Sequence, residues 1–176
     1  MYISQIKIDN FRNFRSLDVP LKRKTILLGE NNSGKTNFIR ALTLPLSSSE
    51  IGGFRKKLHW DDINKECRDE YIEFIRNNQS SIINGTVSLD DFVSKIPFVQ
   101  VTLFFTPDPD SDDFFYLKDF LSELTSESEV LSITYKYYIK DSNKLLERVK
   151  EVLQSTKYSE DTEHSLLPLE WFTTEI

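Results

Sequence analysis

The sequence predicts an α/β fold, a mixed sheet with flanking helices, and three observations carry that expectation. The stretch Gly29-Glu30-Asn31-Asn32-Ser33-Gly34-Lys35-Thr36 fits G-x-x-x-x-G-K-[ST] and stands between the apolar run Thr25-Ile26-Leu27-Leu28 and a helical pattern. Ahead of it, two stretches alternate as half-buried strands around a turn at Asn10–Asn13. Behind it, strand-like and helix-like runs succeed one another to the end of the chain.

In order, residues 2–9 and Phe14 to Leu21 form a hairpin, and Thr25 to Leu28 reads as a buried strand. A helix follows over 35–46, with Phe38, Ile39, Leu42 and Leu46 at helical spacing, and Pro45 with the serines 47–49 ends it. Gly52 to Asp62, which contains Arg55, Lys56, Lys57, His59 and Trp60, reads as an irregular surface excursion. Ile63, Cys67, Tyr71, Phe74 and Ile75 predict a helix over Asp62 to Asn78, and Ser88 is the N-cap of a shorter one. Pro97 to Thr106 is dense in β-branched and aromatic residues and reads as a strand stopped by Pro107. Asp112 to Thr125 is a helix, Val130 to Ile139 a strand, and Asn143 to Gln154 a helix with Leu145, Leu146, Val149, Val152 and Leu153 on one face. The apolar tail Leu166–Ile176 reads as a further strand after the polar patch Ser155–Ser165.

Composition bounds the function classes. A chain of 176 residues suits one domain, or part of a larger one, rather than two. A net charge of −6 lacks the basic excess of an autonomous nucleic-acid binder, so any DNA contact is local or lies elsewhere. The lone Cys67 excludes an intrachain disulfide and a cysteine-based metal cluster. No run approaches the length of a membrane span, and the N-terminus lacks the layout of a signal peptide, so a cytoplasmic location is expected.

The Gly29–Thr36 loop points to polyphosphate. Gly29 and Gly34 let the backbone curl without Cβ clashes and turn successive N–H groups toward phosphate oxygens. The helix that starts at Lys35 aims its unpaired N–H groups and the positive end of its dipole at the same anion. Lys35 supplies a mobile charge for the β- and γ-phosphates, and the Thr36 hydroxyl is placed to ligate magnesium, so ATP and Mg²⁺ are the expected ligands.

Other candidates are weaker. Asp108-Pro109-Asp110-Ser111-Asp112-Asp113 starts like a calcium loop, but Asp113 stands where a sharp turn needs glycine and Asp119 where a bidentate glutamate belongs. It reads as a solvated turn that caps a helix. His59, Asp61, Asp62 and His164 match no zinc spacing, and Arg55-Lys56-Lys57 reads as a solvated basic loop. An ATPase also needs an apolar strand ending in Asp or Asp-Glu, and none qualifies: the strands end at Thr106-Pro107 and Lys140, and the tail is broken by Pro168.

Ile6-Lys7-Ile8-Asp9-Asn10-Phe11-Arg12-Asn13-Phe14, a second strand, and then Leu27 through Leu42 resemble the N-terminus of ABC-type ATPases of the RecF and SMC kind. Within that group the chain is most similar to the OLD-family (overcoming lysogenisation defect) nuclease-ATPases, whose relatives include Gabija-type phage-defence enzymes. The similarity is close over residues 1–46. Beyond them only the layout is shared: an excursion with the acidic pair Asp61-Asp62, then long strands.

The resemblance implies that residues 1–176 are the N-terminal part of a single ABC-type head, acting in a homodimer or higher oligomer whose heads sandwich nucleotide. It implies that the heads control a C-terminal Toprim nuclease acting on DNA. On the matching positions, Asn31, Asn32, Ser33, Gly34, Lys35, Thr36 and Asn37 would wrap the nucleotide, with Arg12 and Asn13 near the phosphates from the hairpin turn. The signature motif, the Asp-Glu strand end and the nuclease carboxylates do not occur in the chain, and Gln100 is a poor candidate for the Q-loop glutamine. An ATP-driven regulator of DNA processing with little turnover of its own is the leading expectation. A nucleotide-sensing module that never hydrolyses is the alternative. A small-molecule kinase is weaker, since Arg55 alone could serve as a lid arginine.

Overall fold

The computed structural model describes residues 1–46, 58–107, 131–155 and 163–176. The expected helix at 112–125, the acidic run 108–113, Arg55–Lys57 and most of the polar patch 155–165 lie outside these.

Strand β1 (Tyr2–Phe11) turns into β2 (Phe14–Pro20) through Arg12-Asn13, with Phe11 opposite Phe14. Arg12 holds φ at 52°, the positive value that the first central residue needs in turns matching the strand twist. The other edge of β1 pairs with β3 (Val99–Thr106), which pairs with β4 (Leu131–Ile139), which pairs with β5 (Phe172–Glu175). The sheet order is β2-β1-β3-β4-β5, and every described pairing is antiparallel where a mixed sheet was expected. A parallel pair needs a crossover helix, and the segment that precedes the loop helix joins no strand.

Alternation sorts the sheet into two faces. Ile6, Ile8, Val101, Leu103, Tyr135 and Tyr137 are buried on one, while Lys7, Gln100 and Lys136 stand on the other with a Thr102–Thr134 hydroxyl pair at 3.0 Å. The same core takes in Tyr71 and Ile75 of α2 (Lys65–Asn77), Phe92 of α4 (Leu89–Lys95), and Leu145 and Val149 of α5 (Ser142–Ser155). Tyr71 donates to the Leu166 carbonyl at 2.9 Å. Burial pushes the Tyr137 phenol up to about 12, so it stays a neutral donor toward the carbonyls of Leu58 and Leu169.

Several boundaries differ from expectation for local reasons. Helix α1 is Lys35–Thr43 and stops short of Pro45, which has no N–H to continue the hydrogen-bond ladder; Leu44 keeps helical backbone and closes the helix by donating to the Ala41 carbonyl. Its buried side is Phe38 and Ala41, whereas Ile39 and, beyond the helix, Leu46 are about half exposed. Helix α2 starts at Lys65 because Trp60–Asp62 winds as a 3-10 turn and Asn64 Oδ1 accepts from Cys67 N at 3.3 Å. An unexpected short helix, α3 (Gln79–Ile83), follows Asn78 and buries Ile82. Ser88 caps α4 as expected, accepting from Asp91 N. The tail is a strand only over β5; the one-turn helix α6 (Glu163–Leu166) and a 3-10 turn at Leu169–Trp171 precede it.

The larger correction concerns Thr25–Leu28. It forms no strand, and Ile26 and Leu28 are 81% and 89% exposed. An apolar run becomes a buried strand only where neighbours cover it, and the described residues supply none for these two side chains. Leu27 turns the other way, into a cleft of about 270 Å³ with Tyr2, Ile3, Phe38 and Leu42. Among the described residues no helix is long and apolar enough to cross a membrane.

Candidate phosphate-binding site

The N-terminus of α1 differs from those of α2 and α4. Asn64 and Ser88 cap α2 and α4, with Glu66, Asp90 and Asp91 in the first turns. Helix α1 has Gly34 at the cap, no side-chain cap and no acidic residue in its first turn. Its leading N–H groups and positive dipole end are therefore left for an external anion.

Gly34 is required twice over. Its φ of 96° is left-handed, and a Cβ there would lie 2.5 Å from Asn13 Nδ2 and 3.2 Å from Phe14 Cζ. The hairpin turn thus packs directly on the loop. At Gly29 a Cβ would lie 2.6 Å from Ser33 Oγ, and Asn32 holds φ at 68°.

Lys35 reaches back across this curl. Its Nζ donates to the carbonyls of Gly29 and Glu30, each at 2.6 Å, and to Ser33 Oγ at 3.4 Å. The ammonium is thereby held over the loop, where anionic oxygens would replace neutral carbonyls as stronger acceptors. Asn31, Asn32, Ser33 and Thr36 are exposed on the loop and the first turn of α1.

Arg12 is the hub of a polar network behind the loop. Its Nε and Nη2 both reach Asp62 Oδ1, at 2.8 and 2.7 Å, and its Nη1 donates to Asn37 Oδ1 at 2.9 Å. Asn37 Nδ2 then donates to Asn13 Oδ1 at 2.7 Å. The Arg12 backbone is fixed as well: its N–H donates to the Asp62 carbonyl at 2.9 Å, and its carbonyl accepts from Asn64 Nδ2 at 2.7 Å. Asn64 N donates to the Asn10 carbonyl at 2.8 Å, and Ile63 bridges to Phe11.

The structure therefore joins Arg12, Asn13, Gly34 and Asn37 by contact, and Ser33 with Lys35. Asn31 and Thr36 belong to the same loop and helix turn without entering that network. Asp62 and Asn64 are the participants that sequence reasoning missed. Both are buried polar residues whose partners lie about fifty positions away, and no local pattern points to them. Gln100 lies in mid-strand, opposite Asp9 and Lys136. The His164 ring packs on Trp60 at 4.5 Å, and among the described residues no group of three or more His, Cys, Asp or Glu side chains could hold a metal.

Comparison with known proteins gives the family and partial relatives. The family model described as AAA ATPase domain matches residues 1–170. The endonuclease GajA of Bacillus cereus (strain VD045) is 40% identical over 77 residues, which are 43% of this chain and 12% of GajA. The DNA replication and repair protein RecF of Bacillus thuringiensis (strain Al Hakam) and that of Bacillus cereus (strain B4264) are each 34% identical over 65 residues, 35% of this chain and 17% of RecF. The matched stretch is thus under a fifth of the length of these relatives.

Proposed function

We propose that this chain, which belongs to the AAA ATPase domain family, binds ATP with magnesium at Gly29–Thr36 and thereby regulates the processing or cleavage of DNA by an assembly of such heads. The observation that carries the reading is the uncapped start of α1 under a lysine drawn across a glycine-built curl. Backbone amides from Asn31 to Gly34 would face the phosphates, and Lys35 would exchange its carbonyl partners for phosphate oxygens. The Thr36 hydroxyl fits as a magnesium ligand with phosphate oxygens completing the set, since among the described residues no carboxylate cluster stands beside it. Arg12 and Asn13 from the hairpin turn, and Asn37 from the first turn of α1, would steady the phosphate side. When bound, the magnesium ion would neutralise charge on the β- and γ-phosphates.

The DNA part of the proposal is supported by the likeness to GajA, an endonuclease, and RecF, a DNA replication and repair protein. A net charge of −6 argues that DNA is engaged through other parts of the assembly. Residues 1–176 are read as the N-terminal part of one ABC-type head in a cytoplasmic homodimer or larger oligomer, serving phage defence. A second reading, nucleotide sensing without hydrolysis, is favoured by one feature: β3 ends at Thr106 and β4 at Ile139, neither followed by a carboxylate pair that could position water.

Calorimetric titration of Mg·ATP into the chain and into Lys35→Ala tests the site, with at least ~10-fold weaker binding expected for the variant. Equal affinities would remove the loop from the proposal. Phosphate release separates the two readings: steady turnover that Lys35→Ala abolishes selects hydrolysis by this chain, and its absence selects sensing or a need for the wider assembly.

A further inference from the structure

We propose that Asp62 is a positioning residue for nucleotide: through Arg12 it sets the phosphate side of the loop without touching the ligand itself. The inference rests on the ATP-binding reading above and adds a control point to it. Asp62 is only 8% exposed, and its carboxylate is fully committed. Oδ1 accepts from both Arg12 Nε and Arg12 Nη2, while Oδ2 accepts from His59 N at 2.9 Å. The carboxylate therefore joins three donor atoms from two residues, Arg12 and His59.

The remaining guanidinium nitrogen, Nη1, is left with one direction to point, toward Asn37 Oδ1. That bond decides the orientation of the Asn37 amide, whose nitrogen then faces Asn13. Asn13 in turn stands against Gly34, where even a methyl group would not fit. A chain of hydrogen bonds thus runs from a buried carboxylate to the corner where the loop becomes α1. The main chain repeats the link, since Asp62 O and Asn64 Nδ2 hold both peptide groups of Arg12 at its left-handed φ of 52°. Such a backbone is strained outside a tight turn, and the 59–64 turn helps hold Arg12 there.

Asp62→Asn is the informative variant. Both groups facing the carboxylate are donors, and an amide can accept on one side only. Either Arg12 or His59 N must then meet an N–H₂ group. Backbone bonds through Asp62 O are unaffected, so the turn has reason to survive.

Mg·ATP affinity would be measured by calorimetry for the wild-type chain, Lys35→Ala, Asp62→Asn, Arg12→Ala and the Asp62→Asn/Arg12→Ala double variant, each with its urea midpoint. Asp62→Asn is expected to weaken ATP about 3- to 10-fold, and in the Arg12→Ala background to weaken it no further, because neighbours in one network couple. AMP affinity should move less than ATP affinity, which a general loss of structure would not produce. Wild-type affinity in Asp62→Asn, or equal weakening with and without Arg12, would overturn the inference. Should Asp62→Asn unfold, Asp62→Glu keeps the charge one methylene further out and carries the same expectations and the same overturning results. If wild type and Lys35→Ala bind ATP alike, it is the loop assignment that fails, and the two failures remain distinct.

Discussion

The loop has two flanks, and they are built from different materials. On one side the Arg12-Asn13 turn is held by directional bonds to Asp62, Asn64 and Asn37, most of them between 2.7 and 2.9 Å. On the other, Thr25–Leu28 brings mainly apolar surface, and Ile26 and Leu28 offer it to solvent. Hydrogen-bonded geometry is complete once a few partners are present. Hydrophobic burial is complete only when enough area meets it, and within the described residues that area is lacking on this side. The polar flank is finished, and the apolar flank is an open surface.

Substitutions can break or sharpen that contrast, each read as a change in the urea unfolding midpoint at constant slope. The largest effect is expected for Ile6→Ala, which removes a fully buried side chain from β1 and should cost about 2–5 kcal/mol. Gly34→Ala comes next, at about 1–3 kcal/mol, since it joins a left-handed φ to a clash with Asn13. Asn64→Ala should cost about 1–2 kcal/mol, because one side chain both caps α2 and holds the Arg12 carbonyl. Leu28→Ala, on the open flank, should stay within about 0.5 kcal/mol. A Leu28 cost equal to that of Ile6 would show that the flank is covered in solution, and the contrast would vanish.

The same division explains what could be read in advance. The loop, α1, the hairpin and the Ser88 cap are written in residues within a few positions of one another, so pattern and mechanism coincide. Thr25–Leu28 has a strand-like pattern, yet strandhood is a property of neighbours, and a run of four residues does not name them. Asp62 was visible as half of an acidic pair, as a helix start and as a poor zinc candidate, and in none of these as the partner of Arg12. Its bond to Arg12 spans 50 positions, and nothing in either neighbourhood announces the other. Helix ends moved for smaller reasons, a proline after α1 and an asparagine cap before α2.

The pairing of β1 with β3 also has a consequence for the order in which the chain assembles. Ser4 Oγ donates to the carbonyl of Phe104, 100 positions away, whereas Ser16 and Asp9 meet across the hairpin at a separation of 7. Ideal-chain closure costs roughly 4 kcal/mol for the first and roughly 2 kcal/mol for the second. The hairpin is the cheaper to close, so it is expected to form before β3 joins it. Loop, α1 and the 59–64 turn that holds Arg12 all lie inside the larger circuit, so closing it around β3 is expected to come after the hairpin.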